Sequence, residues 1–187
     1  MIFPPEQRAV RAQEKREIAL ELAVQEGLVT TNALAVRYGH GSSVAAHRLL
    51  KQLHEEGLLH RVRNGHRHLY LPSPAAHAAV LGEVREAREL DIPLALLALE
   101  LRTTIEAAGG IAVRDGRRMR ITMPGAAAVR ARLVPRMPTR EVLHALANDP
   151  SVDALVLPSG EQRDAARRSI SNPRALLLTP SDWRTAP

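Results

Sequence analysis

Two histidines one residue apart, His66 and His68, stand among Arg61, Arg63 and Arg67 in the stretch RVRNGHRHLYLP. Imidazoles at i and i+2 project to one side of a strand and are a candidate metal pair. No Cys, Asp or Glu lies within residues 61–72 to complete the set, and the guanidinium groups repel a cation, so no metal is expected. The same residues suit an anion: arginine offers a planar fork of donors, and imidazole gains charge as pH falls. A second set, Asp153, Glu161 and Asp164, carries the carboxylates that a metal-dependent nuclease would use. Lysine is absent after Lys51, so the usual carboxylate–carboxylate–lysine site and a P-loop lysine are both missing. The preferred reading places these acids on a helix cap and its exposed face. No catalytic residue and no cofactor are assigned, and the chain is read as a non-enzyme.

A third set lies on one predicted helix, residues 43–56. At 100° per residue Ala46, Leu49, Leu50 and Leu53 share a face suited to packing. Ser43, Val44, His47, Arg48 and Lys51 point away from it, with Ser42 as the N-cap. Arginine can read guanine through two parallel hydrogen bonds, lysine fits a phosphate as a point charge, and His47 suits either. The free amides near Ser42 and Ser43 can also meet a phosphate.

Composition narrows the partner. The chain has 187 residues, 45% apolar and 25% charged, which describes a folded chain rather than a disordered one. Net charge is +6, and Lys15 and Lys51 are the only lysines, so the positive charge is almost all arginine. That balance favours a polyanion. The only aromatics are Phe3, Tyr38, Tyr70 and Trp183, too few for the stacking platforms of single-strand binders, which leaves duplex DNA. No apolar run spans a membrane, no signal-peptide core occupies residues 1–20, and Cys is absent, so a cytoplasmic protein is expected.

The elements that must position these residues follow from punctuation and periodicity. Residues 6–26 read as a helix ending at Gly27, and Thr31 to Tyr38 as a short Thr-capped helix stopped at Gly39. His40-Gly41 make a turn before the third helix, which closes at Gly57. Asn64-Gly65 between two strand-like runs predicts a hairpin over 58–71. With those two residues as the turn, Arg63 pairs with His66, Arg61 with His68 and Leu59 with Tyr70. Val62, Leu69 and Leu71 then face a core, while Arg61, Arg63, His66 and His68 face solvent. His60 and Arg67 fall among the residues of the inner face, Asn64 lies at the turn, and both Asn64 and Arg67 are included as candidate contacts.

Pro72-Ser73-Pro74 marks a domain boundary, giving 1–73 and 74–187. Beyond it, 75–90 and 94–108 read as helices, the second apolar nearly all round in its first half. IAVRDGRRMRITMP reads as a second hairpin, AAAVRARL and TREVLHAL as short helices, and VDALVLPSG, EQRDAARRSIS and PRALLLTP as strand, helix and strand, compatible with a parallel crossover. The run Arg114 to Arg140 holds eight arginines against Asp115 alone, a net of seven positive charges. It is either a second DNA-backbone contact or a set of solubilising charges paired with acids elsewhere. VRNGHRHLYLP and VRDGRRMRITMP echo each other at 51 residues' distance, which raises a degenerate second wing as a minor alternative.

Helix, short helix, turn, helix and hairpin, with Leu34-Ala35, Gly39, Leu50, Leu53, Gly57 and Leu58 at the matching places, resemble winged helix-turn-helix bacterial regulators over roughly residues 15–72. His40-Gly41-Ser42 makes the turn one residue longer than usual. The resemblance implies that the N-terminal half of the third helix enters the major groove and that the hairpin lies over the backbone or minor groove. The expected fold is α+β: an N-terminal winged helix-turn-helix followed by a small mixed α/β C-terminal domain. The expected function is sequence-specific double-stranded DNA binding by a bacterial transcriptional regulator acting as a homodimer. The apolar helix Leu94–Ile105 supplies the dimer surface, and the C-terminal domain is a possible site for a second protein partner. Alternatives are a plasmid or mobile-element replication, partition or transfer protein, a nuclease with its site in the C-terminal half, and an antitoxin-like interaction protein.

Overall fold

The computed structural model describes residues 4–37, 42–84, 89–171 and 173–185, and the chain divides into two compact units, Met1–Leu90 and Asp91–Pro187. In the first, α1 (Pro5–Glu26) starts with proline at its first position, where no amide partner is needed, and ends at Gly27 with φ +83°. Only its second half is buried, through Ala19, Leu20, Leu22, Ala23 and Glu26. The Thr30 hydroxyl accepts from Ala33 N at 3.2 Å and caps α2 (Thr31–Arg37). Tyr38, the Gly39 stop and the His40-Gly41 turn lie outside the described residues. Ser42 caps α3 (Ser43–Glu55) as expected, accepting from Ala45 N. Ala46, Leu50 and Leu53 are its buried side, and Leu49 is half-buried.

The hairpin comprises β1 (Leu59–Asn64) and β2 (Arg67–Pro72). Its register differs from the expected one: Asn64 opposes Arg67, Arg63 opposes His68 and Arg61 opposes Tyr70, so the loop is Gly65-His66. Gly65 takes φ +59° at the first loop position, where a Cβ would be penalised, and Asn64 stays in the strand. The expected division into an inner and an outer face also fails. Leu59, Leu69 and Tyr70 are buried from both faces at the base, whereas Val62 and everything from His60 to His68 are exposed. An antiparallel bridge from Val29 to Tyr70 adds a third piece of backbone to the base. Helix α4 (Pro74–Leu81) packs on α1 and β2, so the unit extends past the Pro72-Ser73-Pro74 boundary to Leu90. The helix expected over 75–90 ends at Gly82 with φ +73°, and residues 85–88 lie outside the described residues.

The second unit is a five-stranded mixed sheet in the order β3-β4-β5-β6-β7. Strands β3 (Ile111–Asp115), β4 (Arg118–Thr122) and β5 (Val129–Leu133) are antiparallel. Two parallel crossovers follow through α6 (Arg140–Ala147) to β6 (Ala154–Val156) and through α7 (Gly160–Ser169) to β7 (Leu176–Leu178). The segment AAAVRARL, expected as a helix, therefore holds the central strand. Its alanines favour helix locally, but main-chain pairing with β4 and β6 overrides that preference. Residues 111–122 belong to this sheet, which removes the idea of a second wing.

Helix α5 (Ile92–Ala107) covers one face. Leu94, Leu97, Ala98, Leu101 and Ile105 pack on Ala112, Met119, Ile121, Ala131 and Leu133, together with Trp183 of the 3₁₀ segment Pro180–Thr185. The apolar surface that motivated a dimer is thus buried inside the unit. On the other face α6 and α7 pack chiefly on β6 and β7, through Leu143, Ala147 and Ala166 around Leu155 and Leu177, with Val134 just past β5 at the edge of the cluster. Gly110 sits where α5 passes into β3. A Cβ there would lie 2.8 Å from Ile105 Cγ2, 3.0 Å from the Thr122 carbonyl and 2.6 Å from Met123 Sδ. Gly110→Ala should destabilise the chain by about 1–3 kcal/mol through overpacking. A urea-unfolding midpoint equal to that of the parent chain would show that this junction has slack.

Candidate nucleic-acid interface

The first unit brings two cationic features together in one fold. On α3, Ser43, Val44, His47, Arg48 and Lys51 are all exposed on the side opposite Ala46, Leu50 and Leu53. Val44 is 60% exposed near the first turn, an uncommon place for an apolar side chain unless something else covers it. Lys51 reaches Glu55 one turn on at 3.4 Å, while Gln52 Nε2 donates to Glu56 at 2.9 Å. Glu56 is also paired with Arg16 of α1. Those two hydrogen bonds, the arginine's the stronger, hold the Glu56 carboxyl below its ordinary range. The C-terminal end of α3 is thereby tied to α1, and its N-terminal half stays open.

At the hairpin tip Arg61, Arg63, Asn64, His66, Arg67 and His68 are all exposed, so every predicted hairpin residue reaches solvent. They do not share one face. By the observed register Arg61, Arg63 and His68 lie on one side, and Asn64 and Arg67 lie on the other. Arg63 Nε donates to the Gly65 carbonyl at 3.1 Å, which fixes the side chain against its own turn and leaves the outer nitrogens for another acceptor. The same device recurs in the second unit, where Arg114 Nε donates to the Gly116 carbonyl at 2.9 Å. The echo between the two sequences is therefore one of turn chemistry.

An open cleft of about 560 Å³ runs between the exposed half of α1 and α3. Ala9, Ala12, Gln13 and Arg16 line one wall, and Ala45, Arg48, Leu49 and Gln52 line the other. Arg48 thus has α1 beside it, a neighbour that the reading of α3 alone misses. The spacing 9, 12, 13, 16 is a helical stripe and was available in the sequence.

The second unit sorts the basic run. Arg117 and Arg136 approach Asp91, the N-cap of α5, at 3.5 and 3.8 Å. Arg140 donates to the Ser169 carbonyl at 3.0 Å. Arg130 grips Asp153: Nη2 reaches Oδ1 at 2.7 Å, while Nε and the backbone amide reach Oδ2 at 3.0 and 2.8 Å. The three acids of the nuclease reading are not gathered into a site. Asp153 is held by Arg130, Asp164 pairs with Arg163 at 3.2 Å, and Glu161 is exposed in the first turn of α7. Among the described residues no group of three His, Cys, Asp or Glu could hold a metal ion, and no helix is long and apolar enough to cross a membrane.

Comparison of the chain with protein-family models, with curated proteins and with solved structures returned no match.

The Asp153 pair makes a pH prediction. Hydrogen bonds from the Arg130 side chain and backbone lower the Asp153 pKa from 3.8 to about 2. A depressed carboxyl stabilises the fold above the unfolded value, and that contribution is lost as pH falls towards about 2. Asp153→Asn should therefore be less stable than the parent chain at pH 6, with the gap closing between about pH 4 and 2. A gap of constant size across that range, measured by urea unfolding, would rule the pair out as its cause.

Proposed function

We propose that the first unit is a winged helix-turn-helix that binds duplex DNA in a sequence-specific manner, and that the chain acts as a bacterial transcriptional regulator. The observation that carries the reading is the joint exposure of two cationic features within one unit. One is the N-terminal half of α3, with Ser43, Val44, His47 and Arg48; the other is the hairpin tip, with Arg61, Arg63, His66, Arg67 and His68. Both stand on a buried base, through Ala46, Leu50 and Leu53 on the helix and Leu59, Leu69 and Tyr70 on the hairpin. A helix with a free, capped N-terminus can enter a major groove about 12 Å wide, where Arg48 reads a guanine edge and the Ser42–Ser43 amides meet a phosphate. Arg61, Arg63 and Arg67 then serve as backbone or minor-groove contacts. Dimerisation through α5 is no part of the proposal, because its apolar residues are already covered by the sheet.

The test is fluorescence anisotropy with labelled genomic duplexes at low salt. The parent chain should bind and should discriminate among fragments. Arg48→Ala combined with Arg63→Ala should weaken binding by at least about tenfold, the lower range for losing one base contact and one backbone contact. Absence of binding, or binding that the double variant leaves unchanged, would remove the proposal.

A further inference from the structure

The basic run Arg114–Arg140 finds partners for most of its guanidinium groups but not for all. The guanidinium groups of Arg118, Arg120 and Arg132 make no hydrogen bond or ion pair with a described residue, and all three side chains project from one face of β4 and β5. This is the half of the outer sheet face that α6 and α7 leave bare. Arg118 stands directly opposite Arg132, and Arg120 stands directly opposite Arg130. Like charges facing each other across a strand pair destabilise a sheet. Asp153 offsets the charge of Arg130, whereas Arg118, Arg120 and Arg132 have no such contact within the unit, and an anion bound among them would lower their mutual repulsion beyond what solvent screening does.

The bordering carboxylates do not fill that role. Asp153 is consumed by Arg130, and Asp149 accepts from the Ser151 amide and hydroxyl at 2.8 and 2.7 Å. Arg118 and Arg132 act on Asp149 only through space. Asp115 opposes Arg118 across β3 and β4 without an ion pair between them.

We propose that this bare half-face is a phosphate-backbone site for nucleic acid, with Arg118, Arg120 and Arg132 as its anion contacts. The spacing supports more than one phosphate: neighbouring strands lie about 4.8 Å apart, and alternate residues along a strand about 6.8 Å apart. Guanidinium forks match phosphate oxygens in pairs. Each face residue on β4 and β5 is arginine or threonine, a single-sign array that suits a continuous polyanion. The exposed Ile111 and Val113 are confined to the edge strand β3, where they border the array without entering it. The inference rests on reading the chain as a duplex-DNA binder, and it adds a site on the second unit that base readout by α3 does not require.

The experiment uses the full chain and a labelled random-sequence duplex of about 30 base pairs, with affinity followed from about 50 to 300 mM NaCl. Arg118→Ala, Arg120→Ala and Arg132→Ala together should make the plot of log K against log salt shallower by about 2–3, close to 0.9 per lost phosphate contact. Ile111→Ser with Val113→Ser should leave that slope as it is. A Gln series at the three arginines gives a second measurement should the Ala variant not fold.

A slope unchanged by the triple variant overturns the site, and so does a parent chain that binds no duplex. Self-association abolished by the Ile111/Val113 variant, with the triple variant's slope at the parent value, overturns it as well and makes the face a protein interface. If the triple variant loses slope while the Arg48/Arg63 variant binds as the parent does, the phosphate site stands and the winged-helix reading falls. The reverse pattern removes the phosphate site alone.

Discussion

Two main-chain hydrogen bonds between Val29 and Tyr70, at 2.8 and 3.0 Å, hold the hairpin to the chain that joins α1 to α2. A two-stranded hairpin is marginal alone, because its ladder is short and each strand has an unpaired edge. The bridge supplies a third piece of backbone at the base, and the Ser73 amide adds a bond to the Leu58 carbonyl below it. Leu59, Leu69 and Tyr70 are fully buried around that junction. The remainder of the hairpin needs no packing of its own, so its tip can carry charge on both faces. Without that anchorage, Arg61, Arg63 and Arg67 would sit on a mobile ribbon and lose much of any binding energy to ordering.

The same economy shapes α1 and α3. Helix α1 buries its second half and leaves its first three turns exposed, and the Arg16–Glu56 pair ties it to the end of α3. Exposed ion pairs contribute little stability. The consequence here is positional: the pair fixes the C-terminal end of α3 to α1, while Ser42, Ser43, His47 and Arg48 stay exposed, Arg48 on the wall of the open cleft that faces α1.

In the second unit the decisive constraint is which side of the sheet each helix covers. Strand β4 alternates Arg118, Met119, Arg120, Ile121, Thr122, and α5 takes Met119 and Ile121. Alternation then commits Arg118 and Arg120 to the opposite face. Because α6 and α7 pack chiefly on β6 and β7, those arginines are exposed rather than buried against a helix. Three of the eight arginines in the basic run pair with acids, Arg117 and Arg136 sharing Asp91 and Arg130 holding Asp153, so net charge along the chain overstates the charge free to meet a partner.

Much of the first unit was legible from local signals. The helix ends at Gly27 and Ser42, the packing face of α3 and the presence of both hairpins rest on caps, periodicity and turn residues that act over a few positions. The twelve candidate contact residues are all exposed. On α3 the polar ones follow from the packing periodicity, but Val44 does not, and on the hairpin both faces of the tip are exposed because only its base is packed. Long-range pairing decided the rest. Whether Asn64-Gly65 or Gly65-His66 forms the turn depends on the register set by Val29 and the buried base, which lie outside the hairpin loop. AAAVRARL became a strand because β4 and β6 offered main-chain partners on both sides, and α5 lost its free apolar surface because a sheet formed beneath it. By itself the sequence determined which residues are charged, where elements start and stop, and which faces are apolar. Only the tertiary structure decided which arginines are already neutralised, because ion pairs such as Arg130–Asp153 join residues far apart in the chain and local pattern carries no record of them.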